Sequence, residues 1–146
     1  MPLKQASWIH GNSVQFQDHS WEGKAFRQGS GTTVRPSNES GSGWVHFAIP
    51  TPAVVANDVH LKAQSAMIRF TTGPQASIGA IHAWEAETRI LNKDGLNLQG
   101  NRQFARAEIP NVPEVGWGVS VSILVNFSGK GDGAWVELHS AGIDFF

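Results

Sequence analysis

Cysteine is absent from the 146 residues, so neither disulfides nor thiolate chemistry enters the fold or any site, and the redox compartment leaves no trace. Tyrosine is absent as well, against 6 Trp and 8 Phe, which puts the aromatic mass into core filling or into indole platforms. No apolar run approaches the ~20 residues of a membrane-spanning helix. The opening Met1-Pro2-Leu3-Lys4-Gln5-Ala6-Ser7-Trp8 holds no apolar stretch of the secretory kind. We therefore expect a soluble protein without membrane insertion, cytoplasmic or exported without a cleaved signal peptide. Neither sign of charge is in excess. The 11 Lys+Arg stand against 12 Asp+Glu for a formal net of -1, which removes the electrostatic case for nucleic acid or an anionic membrane as partner. No segment of ten or more residues repeats with helical period. Missing too are the phosphate-binding Gly-rich loop that ends in Lys-Ser/Thr, the G-x-S-x-G elbow and the H-E-x-x-H helix.

What is present reads as strands and turns: 16 Gly and 7 Pro punctuate apolar positions rich in Val, Ile, Phe and Trp. The plainest stretch is 115–128. Its odd positions Val115, Trp117, Val119, Val121, Ile123, Val125 and Phe127 are apolar, and its even ones, Leu124 excepted, are Gly, Ser or Asn. Period two predicts a strand with one buried face, and seven such side chains represent roughly 10–20 kcal/mol of gross burial. The small even face, with Gly116, Gly118, Ser120 and Ser122, predicts close approach by another sheet, a subunit or a ligand.

Further strands are predicted over 6–17, bent at Gly11-Asn12; over 24–35, kinked at Gly29-Ser30-Gly31; and over 44–50, with Val45, Phe47 and Ile49 on the core face. Others follow over 60–72, 104–109 and 135–145. A long strand over 78–91 sets Ile78, Ala80, His82, Trp84, Ala86 and Ile90 on one face and Glu85, Glu87 and Arg89 toward water. Turns fall at Asp18-His19-Ser20, Asn57-Asp58, Gly73-Pro74 and 129–133, and Asn92-Lys93-Asp94-Gly95 predicts a hairpin. Eight to ten strands with no helix signal make an all-β antiparallel β-sandwich, jelly-roll-like, in one domain.

Two motifs pair uncommon residues at fixed spacing: Trp8-Ile9-His10-Gly11-Asn12-Ser13-Val14 and Trp44-Val45-His46-Phe47-Ala48-Ile49-Pro50-Thr51-Pro52. Through them the chain resembles a family of small uncharacterised bacterial proteins with a W-x-H-G-N-x-V opening and a W-F/V-H-x-x-I/L-P-T-P strand. The resemblance runs on through Asn97-Leu98-Gln99-Gly100-Asn101 and the closing Ser140-Ala141-Gly142-Ile143-Asp144-Phe145, and departs in the Ser/Glu-rich loop before Trp44. It implies an all-β domain and no activity.

Three histidines, His10, His46 and His82, each lie two positions from a Trp on a separate strand. Converging, they would make a metal site with an open fourth position for hydrolysis or oxygen chemistry. The spacing counts against it, because each strand offers one His and His46 lies opposite the Val45/Phe47/Ile49 face; histidines bonded to backbone are the alternative. Trp44, Trp21 and Trp135 lie out of phase or beside Gly-rich turns. With Asn12 and His46 they are candidates for a surface where indoles stack on sugar rings and polar groups take the hydroxyls. The competing reading makes them core plugs or subunit anchors. Glu85 and Glu87 stand at i, i+2, a spacing open to glycoside hydrolysis, but Arg89 on the same face fits a charge ladder. The turns at 92–97 and 129–133 each mix one carboxylate with a Lys, which disfavours a divalent cation. The sequons Asn38-Glu39-Ser40 and Asn126-Phe127-Ser128 are set aside in a chain with no visible leader. We expect a non-catalytic, lectin-like module that recognises glycan or a similar small ligand, without a cofactor. The alternatives are a self-assembling homo-oligomer packed through the small-residue face and, third, a metal-dependent enzyme using His10, His46 and His82.

Overall fold

Alternating apolar and small or polar residues give eleven strands, paired antiparallel throughout, in the computed structural model, which describes residues 5–37, 41–52 and 60–146. The sequon at 38–40 and the expected turn at Asn57-Asp58 lie outside the described residues. In chain order the strands are β1 (Gln5–His10), β2 (Gln15–Phe16), β3 (Ala25–Gln28), β4 (Gly31–Val34), β5 (Gly41–Ile49), β6 (Ala63–Thr72), β7 (Ala76–Glu85), β8 (Thr88–Lys93), β9 (Gln103–Glu108), β10 (Val119–Phe127) and β11 (Val136–Phe145). They form two sheets. The first runs β3-β4-β11-β6-β9, with β1 also on β11; the second runs β2-β5-β10-β7-β8. One edge of β11 is shared end to end, β4 pairing with residues 136–138 and β1 with residues 140–145.

The predicted sandwich is what forms, and its core lies between the two centres, β11 and β10. Val45, Phe47, Ile81, Val121 and Ile123 of the second sheet and Ile68, Phe70, Leu138 and Ile143 of the first are all buried in it. The odd face of β10 is buried from Val119 to Phe127. The run does not start at Val115, however. Gly118 has φ +119, Gly116 and Trp117 give their N–H groups to the Glu85 carboxylate, and Trp117 stands exposed. Those backbone groups are satisfied by the β7 end and not by a ladder, so the strand begins only at Val119.

The strand count exceeds eight to ten because three predicted strands are each two. Residues 6–17 divide into β1 and β2 on opposite sheets, crossing at the 3-10 turn Gly11–Ser13. Only glycine fits at Gly11, where a Cβ would lie 1.8 Å from the Leu138 carbonyl oxygen. Residues 24–35 form the β3–β4 hairpin around Gly29-Ser30. Residues 78–91 reverse at Ala86-Glu87, where Ala86 takes φ 47 with no Gly, Asn or Pro to signal the turn. Asp94-Gly95, in contrast, does not reverse the chain. Beyond it the chain continues along β7, with Leu96 N–H on the Gly79 carbonyl and Leu98 paired with Ile78.

Candidate functional site

The outer face of the second sheet carries three rows set by register. Across β5, β10 and β7 these are Trp44, Leu124, Ala80; His46, Ser122, His82; and Ala48, Ser120, Trp84, with Asn92 and Arg89 of β8 beside His82 and Trp84. The rows enclose an open cleft of about 470 Å³ with Trp44 and Trp84 at opposite corners and Ser120 and Ser122 in its floor.

A bulge puts His82 and Trp84 there. Leu124 pairs with Ala80 and Val125 with Ile78, so Gly79 is an extra residue in β7 and the side-chain alternation inverts across it. Ile78 faces the core before the bulge and Ile81 and Ala83 face it after, leaving Ala80, His82 and Trp84 outward. A Cβ on Gly79 would lie 2.2 Å from Asn126 Nδ2. The single-phase face expected for 78–91 is corrected by this inversion.

Hydrogen bonds fix the polar groups. His46 Nε2 is 2.8 Å from Gln17 Oε1 and its Nδ1 is 2.7 Å from Ser122 Oγ. The amide oxygen only accepts, so Nε2 carries the proton and Nδ1 accepts from the Ser122 hydroxyl. Burial lowers the His46 pKa and so favours the neutral ring. His82 Nε2 lies 2.7 Å from Asp94 Oδ1, and the Asn92 amide, turned to donate, reaches both His82 Nε2 at 2.8 Å and Asp94 Oδ2 at 2.7 Å. The Trp44 and His82 rings lie 4.6 Å apart, and the Arg89 guanidinium sits 5.9 Å from the Trp84 ring centre, a cation–π contact that steadies the indole.

Of the expected site residues, Trp44, His46 and His82 meet here. His10 does not: it ends β1 in the other sheet, where its Nδ1 accepts the Asn12 N–H. The three-histidine metal site is therefore corrected. His46 and His82 are themselves separated by the Ser122 strand, about 9–10 Å between backbones, and among the described residues no group of three His, Cys, Asp or Glu is arranged to hold a metal. Trp21 is only 5% exposed, packed against Phe16 and Phe127 with Gly43 leaving room for its indole; it is a core plug, not a surface platform. Trp135 lies half-buried over Gly73, away from the cleft. Asn12 ties its turn to the β3–β4 hairpin, donating to the Gln28 carbonyl at 2.8 Å and accepting from Thr32. Glu85 and Glu87 are no strand pair, since the chain reverses between them, and Glu85 holds the loop at 116–117. Trp84, Arg89 and Gln17 were not among the expected site residues, whereas Ser120 and Ser122 belong to the small-residue face expected to be closely approached. The signal for Trp84 was Gly79 followed by the apolar pair Ile81 and Ala83 in the opposite parity.

A family model described as a family of unknown function (DUF6623) matches residues 1–145. No curated protein matches the chain. Among solved structures the chain is similar to a low-affinity xylan binding module, CBM86, from Roseburia intestinalis, at 11% identity and TM-score 0.52 over 99% of this chain and 97% of that one. It is similar to a family 35 carbohydrate binding module from Clostridium thermocellum, at 12% identity and TM-score 0.50 over 94% and 97%. A Stig cyclase from Fischerella sp. TAU, solved with a pyrrolidinylidene-indole compound, matches at 9% identity and TM-score 0.53 over 98% of this chain and 75% of that one. Identities this low establish a shared β-sandwich fold and no more.

Proposed function

We propose that this chain, which belongs to the DUF6623 family of unknown function, is a non-catalytic, lectin-like module that binds glycan across the outer face of its second sheet. The observation that carries this reading is the cleft in which Trp44 and Trp84 flank a floor of Ser120 and Ser122 edged by His46, His82, Gln17 and Arg89. A sugar ring has apolar C–H faces and a rim of hydroxyls. Indoles stack on the faces; amide, hydroxyl and guanidinium groups bond the rim, while His46 holds Gln17 and Ser122 in place. Serines in the floor let a ring approach the sheet closely, which accounts for the small-residue face of β10. The cleft's titratable side chains are two histidines and an arginine, whereas glycoside hydrolysis uses two carboxyl groups. The likeness in fold to two carbohydrate binding modules supports the same reading.

A glycan array followed by titration calorimetry tests it. Saturable binding is expected, weakened about tenfold or more in Trp44→Ala and Trp84→Ala, the loss of roughly 1.4 kcal/mol or more of stacking, with unchanged far-UV circular dichroism. No saturable binding to any glycan, or a Trp44→Ala protein that binds like wild type, would overturn it. Self-association is a second reading, favoured by the exposed, touching pair Trp8 and Phe104 on the outer face of the first sheet. A monomer in light scattering at every concentration removes it.

A further inference from the structure

The cleft does not stop at Trp84. Ala86, in the β7–β8 turn, lines both the cleft and a second hollow of about 490 Å³, on whose rim Trp117 stands 86% exposed. A bare indole is unusual on a surface, because it leaves more apolar area in water than almost any other side chain. Here the backbone holds it out. Glu85 Oε1 accepts the N–H groups of Gly116 and Trp117 at 2.5 and 3.2 Å, and the Gly118 carbonyl accepts the Ala86 N–H at 2.9 Å, so the loop is pinned to the turn that walls the cleft. Glycines on both sides leave the indole without neighbouring side chains along the chain.

We propose that Trp117 is a further stacking platform, and that the site takes an extended, uncharged, β-1,4-linked glycan running from Trp44 past Trp84 and over Ala86 to Trp117. This rests on the glycan reading above and names the shape and charge of the ligand. By register, Trp44 and Trp84 are four residues apart along the strands and two strands apart across them, roughly 13 Å by 10 Å. Platforms spread that far suit a straight chain. β-1,4-linked pyranose chains are extended, so successive rings reach platforms set far apart, whereas α-1,4-linked chains coil away after a few rings. Charge along the path changes sign, from Arg89 in the cleft to Glu87 and Glu114 in the hollow, so a uniformly anionic or cationic chain is repelled at one end.

Calorimetry with β-1,4-linked xylose and glucose oligosaccharides of two, four and six units, on wild type, Trp44→Ala, Trp117→Ala and Trp117→Phe, tests the assignment. Wild-type affinity is expected to rise with length in one of the two series. Trp117→Ala is expected within about twofold of wild type on the disaccharide and about tenfold weaker on the hexasaccharide, with Trp117→Phe in between, while Trp44→Ala is weaker at every length. If Trp117→Ala binds the hexasaccharide like wild type, or wild-type affinity ignores length, the extended site is overturned while dependence on Trp44 leaves the glycan reading standing. Wild type that binds neither series overturns the ligand assignment, and the array then decides whether the glycan reading falls with it. A wild type that dimerises in light scattering and a Trp117→Ala that does not would make this indole a subunit contact and overturn the proposal.

Discussion

His46 joins the floor of the cleft to its rim, because one ring nitrogen donates to Gln17 and the other accepts from Ser122. Burial penalises its charged form, so the folded ring takes up a proton less readily than an unfolded one, whose ordinary value is 6.5. The unfolded state then binds more protons as pH falls, and the sign follows: stability is full above pH 6.5 and is lost as pH drops through 6.5 toward the lower folded value. His46→Gln is expected to flatten that part of the stability–pH curve in urea unfolding between pH 5 and 8; an unaltered slope would show that the ring is not the group responsible. At this scale the sequence separated residues unevenly. Trp44 and His46 were recognisable because they alternate against Val45 and Phe47. Trp21 was misplaced, since its burial depends on Gly43 of β5 making room for the indole, a fact no neighbour of Trp21 in the sequence carries.

The β7–β8 hairpin makes the corresponding case for whole elements. Its turn has Ala86 at φ 47, a left-handed conformation that costs a side chain with a Cβ about 1 kcal/mol. The strain is held because the Ala86 N–H bonds the Gly118 carbonyl and the flanking residues Glu85 and Thr88 pair. Ala86→Gly is expected to relieve it and raise stability by about 0.5 kcal/mol, the gain being reduced by the added freedom of glycine in the unfolded chain. Urea unfolding reads this directly, and a destabilised variant would mean that the methyl group packs against the cleft wall strongly enough to outweigh the strain. The central strands β10 and β5 were legible because nothing interrupts their alternation. β7 was not, because its one signal, the change of parity after Gly79, is weak beside the polar–apolar alternation that runs on to Ile90. Its bulge at Gly79 is set by the register with Leu124 and Val125, and its end is set by a turn built from Ala and Glu. The cleft needed both, one to face Trp84 outward and the other to bring Arg89 beside it.

For the whole molecule the decisive feature is that β1 and β11, far apart in the sequence, pair in one sheet. β1 pairs with β11 from Gln5 opposite Phe145 to His10 opposite Ser140, and β11 is also bonded to β4 and β6. Composition and turn spacing indicated a sandwich but not this order, because pairing between the first and last strands is fixed by complementarity across the whole chain. β11 is thus the centre of the first sheet. Val136, Leu138, Ile143 and Phe145 are fully buried, and at ~1.5–3 kcal/mol each these four represent roughly 6–12 kcal/mol of gross burial, comparable with the ~5–15 kcal/mol net stability of an ordinary domain. Ending the chain after Ala134 also strips partners from β1, β4 and β6 together. Such a protein is expected to lose its near-UV tryptophan circular dichroism and its cooperative urea transition, and with them glycan binding, although every residue of the cleft is still present. Retention of a cooperative transition would show that the second sheet stands without the first. The cleft would then be the property of one sheet, whereas the shared core makes its rigidity depend on the strand that closes the other.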